Sequence, residues 1–145
     1  MKSDNSLLVQ TAIALLRSGK PIEIKAQGHS MYPLLKPGTT LLVEPTTPSG
    51  CRRGDIVVFE SNGRLIAHRI IALNEQGFVC RGDATLHDDG LMPLEKLLGI
   101  VTGRKKQQKT ISLITPRHQL YGKLVLAFFP LSAWGFIKLA NLRMW

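Results

Sequence analysis

Acidic residues stop at Glu95 in this chain, cysteine occurs only twice, and aromatic side chains make up 6% of its 145 residues. Each shortage removes a class of protein. Cys51 and Cys80 are too few for a disulfide framework, and their spacing fits no zinc motif, so two free thiols in a reducing compartment are expected. No low-complexity tract and no repeat of about 20–50 residues occurs, which excludes solenoids and argues against disorder. An uninterrupted apolar run of about 20 residues, the length a membrane-crossing helix needs, is missing as well. The apolar stretch LVLAFFPLSAWGFI, Leu124 to Ile137, has 14 residues between Lys123 and Lys138 and is interrupted by Pro130.

What the chain does have is positive charge, unevenly placed. Residues 1–103 carry 11 Lys/Arg against 10 Asp/Glu, whereas residues 104–145 carry 8 Lys/Arg and no acid. A basic segment meets phosphates of nucleic acid or of lipid. Here the cations are interleaved with leucine and phenylalanine, and aromatic rings for stacking on bases are few. A membrane surface or a partner protein is therefore expected for residues 116–145, and nucleic acid is not. Surface insertion or packing onto the domain fits the interrupted run better than a single C-terminal span. The expected location is cytoplasmic or peripheral to the membrane.

LLVQTAIALLRS, Leu7 to Ser18, places Leu8, Ala12, Leu15 and Leu16 on one helical face. It predicts an amphipathic helix over about residues 5–18 with Ser3 or Asp4 as N-cap, and not a cleaved signal. Strands are predicted at Ile22–Ala26, Thr40–Glu44, Asp55–Glu60, Leu65–Leu73, Gly77–Arg81 and Leu98–Gly103, separated by Gly, Pro, Asn and Ser. SNG (Ser61 to Gly63) and NEQ (Asn74 to Gln76) are of hairpin length. Closely spaced strands without intervening helices imply a mainly β, antiparallel, partly closed fold. The division expected is a domain over residues 1–115, followed by a helical or irregular, basic and apolar segment over 116–145.

Three short stretches hold residues capable of chemistry. GHSMYPLLKPG, Gly28 to Gly38, presents Ser30 beside a flexible glycine and ahead of Pro33, which suits the first turn of a short helix. Ser30 is either a cap of that turn or a nucleophile near backbone N–H groups that form an oxyanion hole. A serine nucleophile requires a base. His29, His68, His87 and His118 are the histidines available, and His29, adjacent to Ser30, is expected at the surface or in a substrate cleft. His68, in the apolar strand LIAHRIIAL, is either a hydrogen-bonded core residue or a general base facing a cleft. RGDATLHDDG, Arg81 to Gly90, crowds three aspartates into a loop. It lacks the ligand alternation of a calcium loop, so it is either solvated or supplies a carboxylate that orients His68. Nothing in the sequence calls for a metal or a cofactor.

Taken in order, GHSMYP, RRGDIVVF, AHRI, RGDATLHDD and LGIVTGR form a series that resembles the signal peptidase I family of membrane-associated serine endopeptidases. The resemblance runs from about Gly28 to Arg104. It implies Ser30 as nucleophile, and His68 followed by Arg69 is similar to the histidine-base, endoplasmic-reticulum-type branch rather than to the lysine-base members. It further implies Asp89 as the orienting acid, Asp83 as a second essential carboxylate, and Gly28, His29 and Met31 at the substrate and oxyanion side. A histidine of ordinary pKa, about 6.5, accepts a proton near neutrality, whereas a lysine must first be desolvated. The substrate implied is a precursor bearing a signal or leader peptide.

Three departures from the family pattern stand out. Ala84 replaces the usual Asn after Gly-Asp, Gly28 has no hydroxyl to lend to an oxyanion hole, and no N-terminal anchor is read. The opening AQGHSMYPLLKPG also looks like a small anchorless subgroup linked to leader peptides of modified-peptide pathways. Competing readings are a non-catalytic membrane- or partner-binding module on the same fold, and a self-cleaving SOS-repressor type. The repressor type uses lysine as base and carries a DNA-binding domain, for which the 27 residues before Gly28 are expected to be too few.

Overall fold

The computed structural model describes residues 2–143. Helix α1 spans Lys2–Arg17 and is followed by strands β1 (Ile22–Lys25), β2 (Thr40–Pro45), β3 (Ile56–Ser61), β4 (Arg64–Asn74), β5 (Gly77–Arg81), β6 (Leu91–Met92), β7 (Leu97–Lys106) and β8 (Lys109–Ser112). Helices α2 (Pro116–Ala127) and α3 (Leu131–Arg143) complete it. The strands form one antiparallel sheet in the order β1-β2-β7-β3-β4-β5-β6, with β8 on β7, curled into a half-barrel. The mainly β, antiparallel expectation holds, with helices at both ends.

The sheet separates two apolar clusters. Leu16, Met31, Leu35, Leu41, Val43 and Val58 belong to one; Val57, Phe59, Ile70, Phe78 and Cys80 belong to the other. This follows from period-two alternation, which sends Val57 and Val58 to opposite faces. Phe59 and Phe78 meet edge to face at 5.8 Å between centroids.

Helix α1 ends where glycine lets it. Gly19, at φ 84°, follows the last turn, Lys20 N–H donates to Leu15 O at 2.9 Å, and Gly19 N–H donates to Leu16 O at 3.1 Å. These two bonds are a Schellman cap. The N-terminus differs from expectation: the helix begins at Lys2, so Ser3 and Asp4 lie inside its first turn. The buried face differs too. Val9, Ile13 and Leu16 pack inward, while Leu8 is 68% exposed. Leu8, Ala12 and Leu15 form a second apolar stripe beside the first, so periodicity alone could not select between them.

Two short strands escape the sequence reading. β6 pairs with β5 over only two residues, and β8 has the polar sequence KTIS. Neither carries the apolar alternation that marks a half-buried strand.

The C-terminal residues fold as two helices that pack on the sheet domain. Pro116 opens α2 after Thr115, as its fixed φ and missing N–H permit. The helices meet at 104°. Tyr32 and Ala84 form an apolar cluster with Phe136, Ile137 and Ala140 of α3. On α2, a Cβ at Gly122 would lie 2.6 Å from Arg69 Nη1 and 3.2 Å from Gly54 O, so this close approach requires glycine.

Candidate active site

The stretch GHSMYPLLKPG is the loop between β1 and β2. Its base is closed by Ala26 N–H to Thr39 O at 2.8 Å and Gly38 N–H to Ala26 O at 2.9 Å. Met31 and Leu35, 4% and 1% exposed, anchor it in the core. The short helix expected after Ser30 does not continue beyond isolated turns. Ser30 O, which would accept the next helical bond, instead accepts the N–H of Ala84 at 2.8 Å, and Pro33 has no N–H to give His29 O. Gly28 sits at φ 73° with open space around its Cβ direction, so the backbone conformation, not crowding, favours glycine there.

Strand β4 presents His68 to this loop. Its Nε2 lies 2.9 Å from Ser30 Oγ, and its Nδ1 lies 2.6 Å from Asp89 Oδ2. With the carboxylate accepting from Nδ1–H, the Nε2 lone pair faces the serine hydroxyl. His68 is 9% exposed, and Phe59 stands edge-on to its ring at 6.3 Å. Of the paired aspartates, Asp88 makes the turn by accepting Gly90 N–H at 2.8 Å. Asp89 N–H donates to Cys80 O at 2.8 Å, which holds its carboxylate toward His68. A hydroxyl, imidazole and carboxylate in this chain can move a proton off the hydroxyl as it attacks an electrophile.

Arg69, next in β4, leaves the opposite face and serves Asp83. Nε–Oδ1 and Nη2–Oδ2 distances of 2.8 Å and 2.7 Å make a bidentate pair, with side chains only 3% and 1% exposed. Its remaining arm, Nη1, donates to Gly54 O at 2.8 Å. This ties Gly54-Asp55, Arg69 and Gly82-Asp83 into one unit. Asp83 is thus not in the Ser30–His68–Asp89 chain but beside it. Its backbone N–H reaches Met31 Sδ at 3.4 Å, and a Cβ on Gly82 would lie 2.6 Å from Ser30 O. The loop after β5 therefore clasps the serine backbone directly. Ala84, the departure from the family pattern, packs beneath α3, where an amide would be buried in an apolar cluster.

A cleft of about 790 Å³ opens onto Ser30 and His68. Leu8, Ala12 and Leu15 of α1 form one wall, and β1 and residues Arg64–His68 of β4 form others. Gly28 and Met31 line it; His29 does not, and is exposed with its ring 6.5 Å from that of Tyr32. The cleft wall from α1, the clasp at Gly82 and the cover at Gly122 are contributions that sequence reasoning missed; the glycines themselves were the available signal.

Neighbouring groups titrate away from their usual ranges. Burial, aided by the Asp83 carboxylate, pushes the Tyr121 phenol up to about 12. Burial and then the nearby Asp89 carboxylate push the Cys80 thiol far up. Burial lowers the His118 imidazole, helped by Arg104 and Arg117; it contacts Thr115 Oγ1 at 2.9 Å, away from Ser30. Among the described residues no cluster of three His, Cys, Asp or Glu side chains is placed to hold a metal.

Comparison with known proteins places the chain at the level of family. No curated protein and no solved structure matches the chain. The family model described as Peptidase S24-like matches residues 5–80, from α1 nearly to the end of β5, so it includes Ser30 and His68 and stops short of Asp83 and Asp89. As that match covers more than half of the sequence, the chain belongs to the peptidase S24-like family.

Proposed function

We propose that this protein is a serine endopeptidase in which Ser30, His68 and Asp89 form the catalytic chain and Asp83 positions it through Arg69. The observation that carries the reading is the pair of contacts on one imidazole, 2.9 Å to Ser30 Oγ and 2.6 Å to Asp89. Ser30 Oγ attacks the peptide carbonyl as its proton passes to His68 Nε2. The tetrahedral adduct collapses, the C–N bond breaks, and His68 returns the proton to the leaving amine. Water then attacks the acyl ester through the same base, releasing a carboxylate and restoring the serine. The backbone N–H of Ser30 supplies an oxyanion donor.

The substrate we infer is an extended segment of a precursor carrying a signal or leader peptide, with small residues preferred before the scissile bond. β1 is an edge strand, and Arg64–His68 of β4 pair only with β3, because β5 pairs from Arg69 onward. Both free edges border the cleft, so a peptide can be held by main-chain hydrogen bonds while its side chains enter apolar walls. The His68-Arg69 pair supports placement beside the histidine-base signal peptidases. Incubating a leader-peptide library with the wild-type chain, Ser30→Ala and His68→Ala tests this. Cleavage by the wild type alone is expected, and equal cleavage by Ser30→Ala overturns it.

A further inference from the structure

Helices α2 and α3 carry apolar side chains on both faces. Tyr121, Val125, Ala133, Phe136 and Ala140 turn toward the sheet domain. Leu120 and Leu124 on α2, Phe128 at its C-cap, and Leu131, Trp134 and Leu142 on α3, turn to solvent, each between 47% and 72% exposed. A helix lying on a water-facing domain shows polar residues there. Counting Leu139, seven of the 12 exposed large hydrophobic residues of the described chain lie between positions 120 and 142.

The cations share this surface. Arg117 is in register with Leu124, and Lys138 lies in the stripe of Leu131, Trp134 and Leu142, with its Nζ 5.1 Å from the Trp134 ring. No acidic residue follows Glu95. No single described helix is long and apolar enough to cross a bilayer, and the 104° bend brings Phe128, Pro130 and Leu131 to an exposed corner.

We propose that α2 and α3 form a wedge that docks on an anionic bilayer surface, with the Phe128–Leu131 corner among the acyl chains and Arg117 and Lys138 on lipid phosphates. Lysine stems cover apolar surface while their ammonium groups reach the headgroups. Charge selects the lipid over a second copy of the chain, since two such wedges would oppose cations with no carboxylate from either. The inner face of the wedge packs on Arg69, Tyr32 and Ala84, so docking is coupled to the backing of the site while the cleft mouth, lined by α1, β1 and β4, stays clear of the wedge.

The test uses the full chain with Trp145→Phe, which leaves Trp134 as the sole tryptophan, and vesicles of phosphatidylcholine with or without phosphatidylglycerol. Co-flotation and a blue-shifted Trp134 emission are expected with the anionic vesicles, and both should weaken in high salt. Phe128→Ser/Leu131→Ser and Arg117→Glu/Lys138→Glu should each lower partitioning by about tenfold or more, with unchanged circular dichroism and melting temperature. Absence of flotation, or equal flotation on phosphatidylcholine alone, overturns the proposal. So does retention through alkaline carbonate extraction, which marks a span. A vesicle-independent dimer that already shields Trp134 would assign the face to a second copy and overturn it too.

Discussion

Asp89 decides what the histidine can do. In the proposed mechanism its carboxylate, 2.6 Å from Nδ1, fixes the proton there and stabilises the imidazolium that forms when Ser30 is deprotonated. An asparagine of the same shape removes that charge and can present its amide N–H instead. Asp89→Asn should therefore lower kcat by about 10³–10⁴-fold with KM little changed, because Asp89 does not line the cleft. Steady-state kinetics on a cleaved peptide checks this; a KM effect alone would show that the carboxylate binds substrate. Tyr121 makes a different prediction. Its buried hydroxyl has no hydrogen-bond partner, and its ring lies 5.7 Å from the Arg69 guanidinium. The folded chain holds the phenolic proton up to about pH 12, against about 10 when unfolded. The corresponding stability is complete below pH 10 and is lost as pH rises from there toward 12. Tyr121→Phe should be neutral or stabilising by about 1 kcal/mol at pH 8, and should flatten the alkaline loss. Urea titrations at both ends of that range measure it, and a clear destabilisation at pH 8 would reveal a partner for the hydroxyl.

At the scale of elements, β4 distributes the work by alternation. His68 leaves one face toward Ser30, and Arg69 leaves the other toward Asp83. Replacing Arg69 by Met strands a carboxylate that is 1% exposed, at a cost of about 3–5 kcal/mol; Arg69→Met/Asp83→Leu should regain most of it. Equal losses in the single and double variants, read from urea midpoints, would show that packing and not charge sets the cost. Gly82→Ala probes the clasp. Its methyl must displace Ser30 O, so about 1–3 kcal/mol of stability and most of the activity should go together. Much of this was legible in advance. The larger strands announced themselves by Val/Ile-rich runs between turn residues, and Ser30, His68 and Asp89 by motif order. The α1 face was not legible, because two apolar stripes adjoin. β6 and β8 were not either, since register with an existing strand, and not their own pattern, makes them strands. The role of Ala84 emerges only once α3 is seen above it.

Over the whole molecule, the half-barrel brings distant segments to one point: a loop after β1, the middle of β4 and a loop after β5, with α1 walling the cleft and α2 and α3 packed behind it. Such convergence is tertiary, so neither spacing nor composition could display it; the contact distances do. It also means that the chain should work as a unit. The most direct measurement is a double-mutant cycle on one cleaved peptide, comparing Ser30→Ala, His68→Ala and the double variant. A shared proton path predicts that each single change costs about as much as both together, in contrast to the multiplied losses of independent residues. Losses that multiply, or a Ser30→Ala protein that cleaves at the wild-type rate, would contradict it.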